Sequence, residues 1–137
     1  EKLVDFYEHL TPESMARFGD YYSDDAYFKD PFNEVRGLVA IRRIFLHMFE
    51  QVAEPRFVVL EQVVDGNRAV LVWEFRYRSR TRGLAGTEVI RGVSHLRLDA
   101  EGMVNWHRDY WDAAEELYAK LPWIGWVFRR LARLLAS

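Results

Sequence analysis

Four consecutive strand-like runs, residues 56–64, 68–80, 87–98 and 103–111, constrain this chain more than any other feature. Asp65-Gly66-Asn67 separates the first two, and Asp99-Ala100-Glu101-Gly102 separates the last two. Glycine and short polar side chains suit the backbone of tight hairpins. Strands joined by such short turns pair antiparallel, because a parallel pair needs a long crossover. A looser stretch, residues 81–86, joins the second run to the third. The expectation is an antiparallel meander with helices before and after it, which is an α+β arrangement.

Alternation assigns the faces of that sheet. The second run sets Ala69, Leu71, Trp73, Phe75 and Tyr77 on one side and Glu74, Arg76 and Arg78 on the other. The third sets Ile90, Gly92, Ser94, Leu96 and Leu98 against Arg91, His95 and Arg97. By parity Asn105, His107, Asp109 and Trp111 share a face in the fourth, opposite Trp106, Arg108 and Tyr110. The aromatic face is expected to be concave and packed under the helices. The arginine-rich face is expected to meet solvent or a second subunit. Glutamates interleave with those arginines and the formal net charge is −2, so no nucleic-acid partner is expected.

Upstream, Leu3, Phe6, Tyr7 and Leu10 have helical spacing. Thr11 can cap a second helical piece that opens with Pro12, carries Met15 and Phe18, and ends at Gly19. A turn at Asp24-Asp25, a strand over residues 26–30 ended by Pro31, and a short return strand at residues 34–36 follow. Residues 38–53 form a helix with Ile41, Ile44, Phe45, Met48 and Val52 on one face, stopped by Pro55. After the sheet comes a helix interrupted at Pro122. A last helical piece then carries Ile124, Val127, Phe128, Leu131, Leu134 and Leu135 beside Arg129, Arg130 and Arg133. This tail is expected to dock on its own sheet or on a twin subunit, with an anionic membrane surface as the lesser alternative.

A length of 137 residues suits one domain, 1–137, with residues 112–137 as a helical extension. No cysteine is present, which excludes disulfides, thiolate zinc sites and a cysteine nucleophile. There is no glycine-rich phosphate loop after a strand and no metal-spaced ligand set, so no cofactor and no metal are expected. No apolar run approaches the ~20 residues of a membrane span, and a cytoplasmic location is the default expectation.

The stretch SDDAYFKDPFNEVRG (residues 23–37), followed by a helix and four strands ending WHRDYWD, resembles the nuclear transport factor 2-like superfamily. SnoaL-like polyketide cyclases, ketosteroid isomerases and limonene epoxide hydrolases belong to it. The resemblance covers about residues 1–112. It implies a cone-shaped curved sheet wrapped around N-terminal helices (a cystatin-like α+β barrel), an apolar cavity, and a homodimer formed through the sheet. Against the isomerases it places Asp30 as the proton-shuttling base. It also puts Phe6 and Ser94 where that family has its oxyanion donors, with Tyr7 next to Phe6 but pointing elsewhere. Against the epoxide hydrolases, Arg108-Asp109-Tyr110-Trp111-Asp112 matches the closing motif, which implies an acid role for Asp109; the Arg-x-Asp partner of that family is absent.

Read without families, the concave face offers Asp30, His107 and Asp109 as acid–base residues among aromatic side chains. Tyr22, Phe28, Trp73, Phe75, Tyr77, Ser94 and Trp111 are the expected ligand-lining residues. Structural roles stand beside these. Asp30 can hold a turn, His107 can be a hydrogen-bonded core histidine, Asp109 can pair with an arginine or a helix terminus, and Asp112 can cap the next helix. The sequence therefore supports two functions. One is a cofactor-independent acid–base enzyme acting on a small hydrophobic, cyclic molecule. The other is a non-catalytic small-molecule binder or protein-interaction module.

Overall fold

The computed structural model describes residues 2–79, 87–116 and 124–136. The loop expected over residues 81–86 and the interruption at Pro122 lie outside the described residues. The chain runs α1 (Lys2–Glu8), a 3-10 helix (Glu13–Asp20), β1 (Tyr22–Lys29), β2 (Glu34–Arg36), α2 (Leu38–Gln51), β3 (Val52–Asp65), β4 (Arg68–Ser79), β5 (Thr87–Leu98), β6 (Val104–Tyr110), α3 (Ala113–Glu116) and α4 (Ile124–Leu135). The strands form one curved, unclosed sheet in the order β2-β1-β6-β5-β4-β3.

Between α1 and the 3-10 helix, Thr11 and Ser14 cap one another. The Ser14 N–H donates to Thr11 Oγ1 (3.1 Å) and the Thr11 N–H donates to Ser14 Oγ (2.9 Å). The Ser14 N–H also donates to the Thr11 carbonyl (3.1 Å), so the side-chain bonds brace the start of this helix alongside a backbone partner. In the sheet β3 through β6 form the expected meander, antiparallel throughout. The seam between β1 and β6 is parallel, with Phe28 beside His107 and Lys29 beside Arg108. No hairpin joins these two strands, so turn chemistry does not set their relative direction.

Strand boundaries differ from expectation where the ladder bulges. Asp24 and Asp25 lie inside β1, not in a turn, across a register shift between Tyr22 and Tyr27. Pro55 lies inside β3, at a shift between Ala53 and Arg56, with Glu54 at φ 52°. An edge strand tolerates this, since a proline at a bulge removes no ladder bond. In β6 Val104 faces Leu98 while Trp106 faces Arg97. Asn105 is thus the extra residue and is exposed, which removes it from the face of His107 and Asp109.

The core lies between the concave face of the sheet and α1, the 3-10 helix and α2. Phe18 sits at its centre, with ring centroids 4.3 Å from Tyr22, 5.3 Å from Phe45 and 5.8 Å from Phe6. On β4 and β5, Trp73 stands directly opposite Gly92. A Cβ at Gly92 would fall inside the van der Waals shell of the Trp73 indole. Gly92→Ala is therefore expected to displace Trp73 and to cost about 1–3 kcal/mol. Urea unfolding followed by tryptophan fluorescence reads both effects; an unchanged midpoint would show that the indole moves without cost.

On the convex face the Arg97 guanidinium lies 4.4 Å over the Trp106 ring and Arg108 lies 4.6 Å over Tyr110, with His95 also against Trp106. At the tip of the β3–β4 hairpin Leu60, Val63 and Val64 are exposed. On α4 Val127, Leu131, Leu134 and Leu135 are exposed, Leu134 at 73% and Leu135 at 84%. These four belong to the apolar stripe expected to dock on the chain's own sheet or on a twin subunit.

Candidate active site

The register of β4, β5 and β6 brings the polar side chains of the concave face together. Ser94 stands opposite Asp109 on one side and Leu71 on the other, diagonal to Trp73; Leu96 stands opposite His107. His107 and Asp109 are two residues apart on β6, hence on one face. The Trp73 indole N–H donates to Ser94 Oγ (2.8 Å), and Ser94 Oγ–H donates to Asp109 Oδ1 (2.5 Å). His107 Nε2 lies 2.6 Å from the same Oδ1. On the other side of the imidazole, Nδ1 lies 2.5 Å from the Tyr22 hydroxyl, which also bonds the Tyr7 hydroxyl.

Proton positions follow from the carboxylate. With Asp109 ionised and His107 neutral, the carboxylate only accepts, so His107 Nε2 carries the proton and Nδ1 accepts from Tyr22. With its own proton committed, Tyr22 accepts from Tyr7. Two donor chains, Trp73–Ser94 and Tyr7–Tyr22–His107, thus converge on Oδ1 of Asp109. Oδ2 receives no hydrogen bond from a described residue. Burial disfavours phenolate at both tyrosines and pushes both hydroxyls well above the ordinary tyrosine range, so they remain neutral donors. The His107 side chain is 3% exposed and that of Asp109 15%; the carboxylate is the member that an incoming molecule can touch.

A cavity of about 20 Å3 opens beside this network. Tyr7, Ser94, His107 and Asp109 form its polar wall, and Phe45, Phe57, Val59, Leu71 and Trp73 its apolar wall. That space admits one water or a group of similar size. Among the described residues no three His, Asp or Glu side chains gather as a metal site.

His107, Asp109, Ser94 and Trp73 therefore meet at one cavity, as the strand parity suggested. Tyr22 and Phe28 pack on the His107 ring, with centroids at 5.8 and 4.8 Å, behind the cavity wall. Phe75 and Tyr77 are buried and stack on each other at 5.3 Å farther along β4, outside the lining. Trp111 is half-buried with its ring edge-on to Phe32.

Asp30 is not among the lining residues. Its Oδ1 accepts from the Phe32 N–H (2.8 Å), the Asn33 N–H (2.7 Å) and Asn33 Nδ2 (3.1 Å). The Pro31 turn leaves those amides pointing back at the carboxylate, which closes an Asx-type turn. Asp30→Ala should cost about 1 kcal/mol, because water replaces part of the lost bonding. It should leave reactivity at Asp109 within twofold. A thermal melt and a rate measurement on the same preparation check both, and a rate collapse with an intact melt would return Asp30 to the chemistry.

Tyr7 corrects a second placement. It faces the cavity, and Phe6 instead stacks on Tyr21 at 4.3 Å. The signal was present in the spacing of Leu3, Phe6, Tyr7 and Leu10, which puts both aromatic rings on the buried side of α1. Phe45, Phe57, Val59 and Leu71 also line the cavity without having been singled out. Apolar side chains of this kind carry no mark that separates wall from core.

Comparison with known proteins places this geometry. The pattern of the SnoaL-like domain family matches residues 3–107. A protein from Catenulispora acidiphila, solved with trimethylamine and described by its ketosteroid isomerase-like fold, superposes with a TM-score of 0.71 at 13% identity. The alignment covers 87% of this chain and 89% of that one. A Shewanella putrefaciens protein assigned as a SnoaL-like polyketide cyclase gives 0.68 at 19% identity, over 85% of this chain and 90% of that one. TsrD from Streptomyces laurentii gives 0.66 at 16% identity, over 85% and 86%. These likenesses establish the fold. No curated protein matches the sequence.

Proposed function

The chain belongs to the SnoaL-like domain family, and on that premise we propose that it is a cofactor-independent acid–base enzyme acting on a small hydrophobic molecule, with Asp109 as the base. The observation that carries this reading is the convergence of both donor chains on Asp109 Oδ1, while Oδ2 receives no hydrogen bond from a described residue and Asp109 lines a largely apolar cavity. Ser94 and His107 fix the carboxylate's orientation, as a proton-transfer site needs. Oδ2 then accepts a proton from a carbon acid or from an attacking water. His107 and Ser94 hold the protonated group in place until it returns the proton. Tyr7, whose proton is committed to Tyr22, presents acceptor lone pairs to the same cavity and can accept from a substrate hydroxyl. The cavity's small volume restricts entry to the reacting end of the substrate. Isomerisation, cyclisation, dehydration and epoxide opening all meet these requirements. The fold itself does not choose among them.

The test is proton exchange and ring opening on a small panel. Cyclohex-3-enone in deuterated water reports carbon-acid chemistry by NMR, and limonene 1,2-epoxide reports water addition. Catalysis of either above the buffer rate, lost in Asp109→Asn, supports the proposal. Quenching of tryptophan fluorescence by panel members without any rate above buffer overturns it in favour of a non-catalytic binder.

A further inference from the structure

The geometry points to α4 as a docking element for an anionic lipid surface. Its period places Val127, Leu131, Leu134 and Leu135 on one arc of the helix and Arg130 and Arg133 on the remainder. Val127, Leu131, Leu134 and Leu135 are exposed, and so are Arg130 and Arg133. Residues 124–136 contain three arginines and no acidic residue, whereas the whole chain carries −2, so the rest of it carries −5. The positive charge of this helix is therefore segregated onto the element that also exposes the apolar stripe. That pairing of features is what an interfacial helix presents to anionic headgroups and acyl chains.

A second copy of the chain is the competing occupant; its own α4 carries the same stripe, and the oligomeric state separates that case, whereas its β3–β4 hairpin does not fit. On the β3–β4 hairpin Val63 and Val64 are adjacent and so point to opposite faces, and Glu61, Gln62 and Asp65 interleave with them. Neither face offers a continuous apolar strip along the roughly 18 Å of a twelve-residue helix. Such a helix is also too short to cross a hydrocarbon core of about 30 Å, and no described helix is long and apolar enough to do so. The stripe therefore lies in the plane of the interface, with Arg130 and Arg133 at headgroup level.

Flotation of the full chain with vesicles tests this. Recovery with phosphatidylcholine–phosphatidylglycerol vesicles, but not with phosphatidylcholine alone, is expected, and recovery should fall as salt rises. Leu131→Asp combined with Leu134→Asp should abolish flotation. Both side chains are exposed, so the fold should survive. Arg133→Glu, which leaves the apolar stripe intact, should weaken partitioning about tenfold. No flotation on anionic vesicles overturns the proposal, as does flotation indifferent to both variants. A wild-type dimer that the leucine variant makes monomeric, with no vesicle binding at any stage, overturns it as well and assigns the helix to a second copy.

Discussion

Asp109→Asn is expected to lower the rate of proton transfer by about 10²–10⁴-fold while changing stability by about 1 kcal/mol or less. The two effects separate because of how the carboxylate is held. Ser94 Oγ–H and His107 Nε2–H both donate to Oδ1. In the variant the amide oxygen takes the Oδ1 position to satisfy them, and the NH2 group turns to the cavity. The site keeps its shape and hydrogen bonds, but a donor stands where the base stood. Rates on the panel and a thermal melt of the same sample measure the two quantities. A variant that retains most of the rate would remove Asp109 as the base. A variant that fails to fold would show that the carboxylate's charge, rather than its acceptor position, holds the network together.

Phe18→Ala is expected to have the largest effect on stability, about 3–5 kcal/mol. The side chain is buried among Phe6 from α1, Tyr22 from β1 and Phe45 from α2. Truncation removes the contact that three elements share and leaves a cavity that aromatic neighbours cannot easily fill, since their own rings are fixed by other partners. Urea unfolding should show a lower midpoint at an unchanged slope, because the surface exposed on unfolding is nearly the same. A loss below about 1 kcal/mol would mean that the helices close over the gap. Tyr22 neighbours Phe18, so some loss of activity should accompany the loss of stability.

Much of this architecture was legible because it is local. The hairpin turns at Asp65-Gly66-Asn67 and Asp99-Ala100-Glu101-Gly102, and the alternation through β4 and β5, depend on residues close in sequence, and they placed Trp73, Ser94, His107 and Asp109 on one face. Parity failed where a bulge adds a residue, as at Asn105, since a single insertion reverses every later face. The parallel β1–β6 seam has no local mark at all. Asp30 and Tyr7 were misplaced for a related reason. A carboxylate before a proline suits both a pocket and a turn, and only the orientation of the Phe32 and Asn33 amides decides between them. Two adjacent aromatics on one buried face of α1 are equally apolar by position, and the hydroxyl of Tyr22 decides which of them reaches the cavity.

The β1–β6 seam also sets an order of events during synthesis. The Tyr22–His107 bond joins residues 85 positions apart, and Tyr7 lies farther still from Asp109. Ribosomal synthesis makes β1 before β6, so β1 stays unpaired along one edge until residues 104–110 have followed it. Closing so long a loop is entropically costly before its contacts are made, which places this pairing late in folding and makes it slow. Asp109 and the tyrosines that line up with it through His107 therefore come together only once β6 is in place. A nascent chain stopped short of β6 would leave β1 without its inner neighbour and the tyrosines without their imidazole.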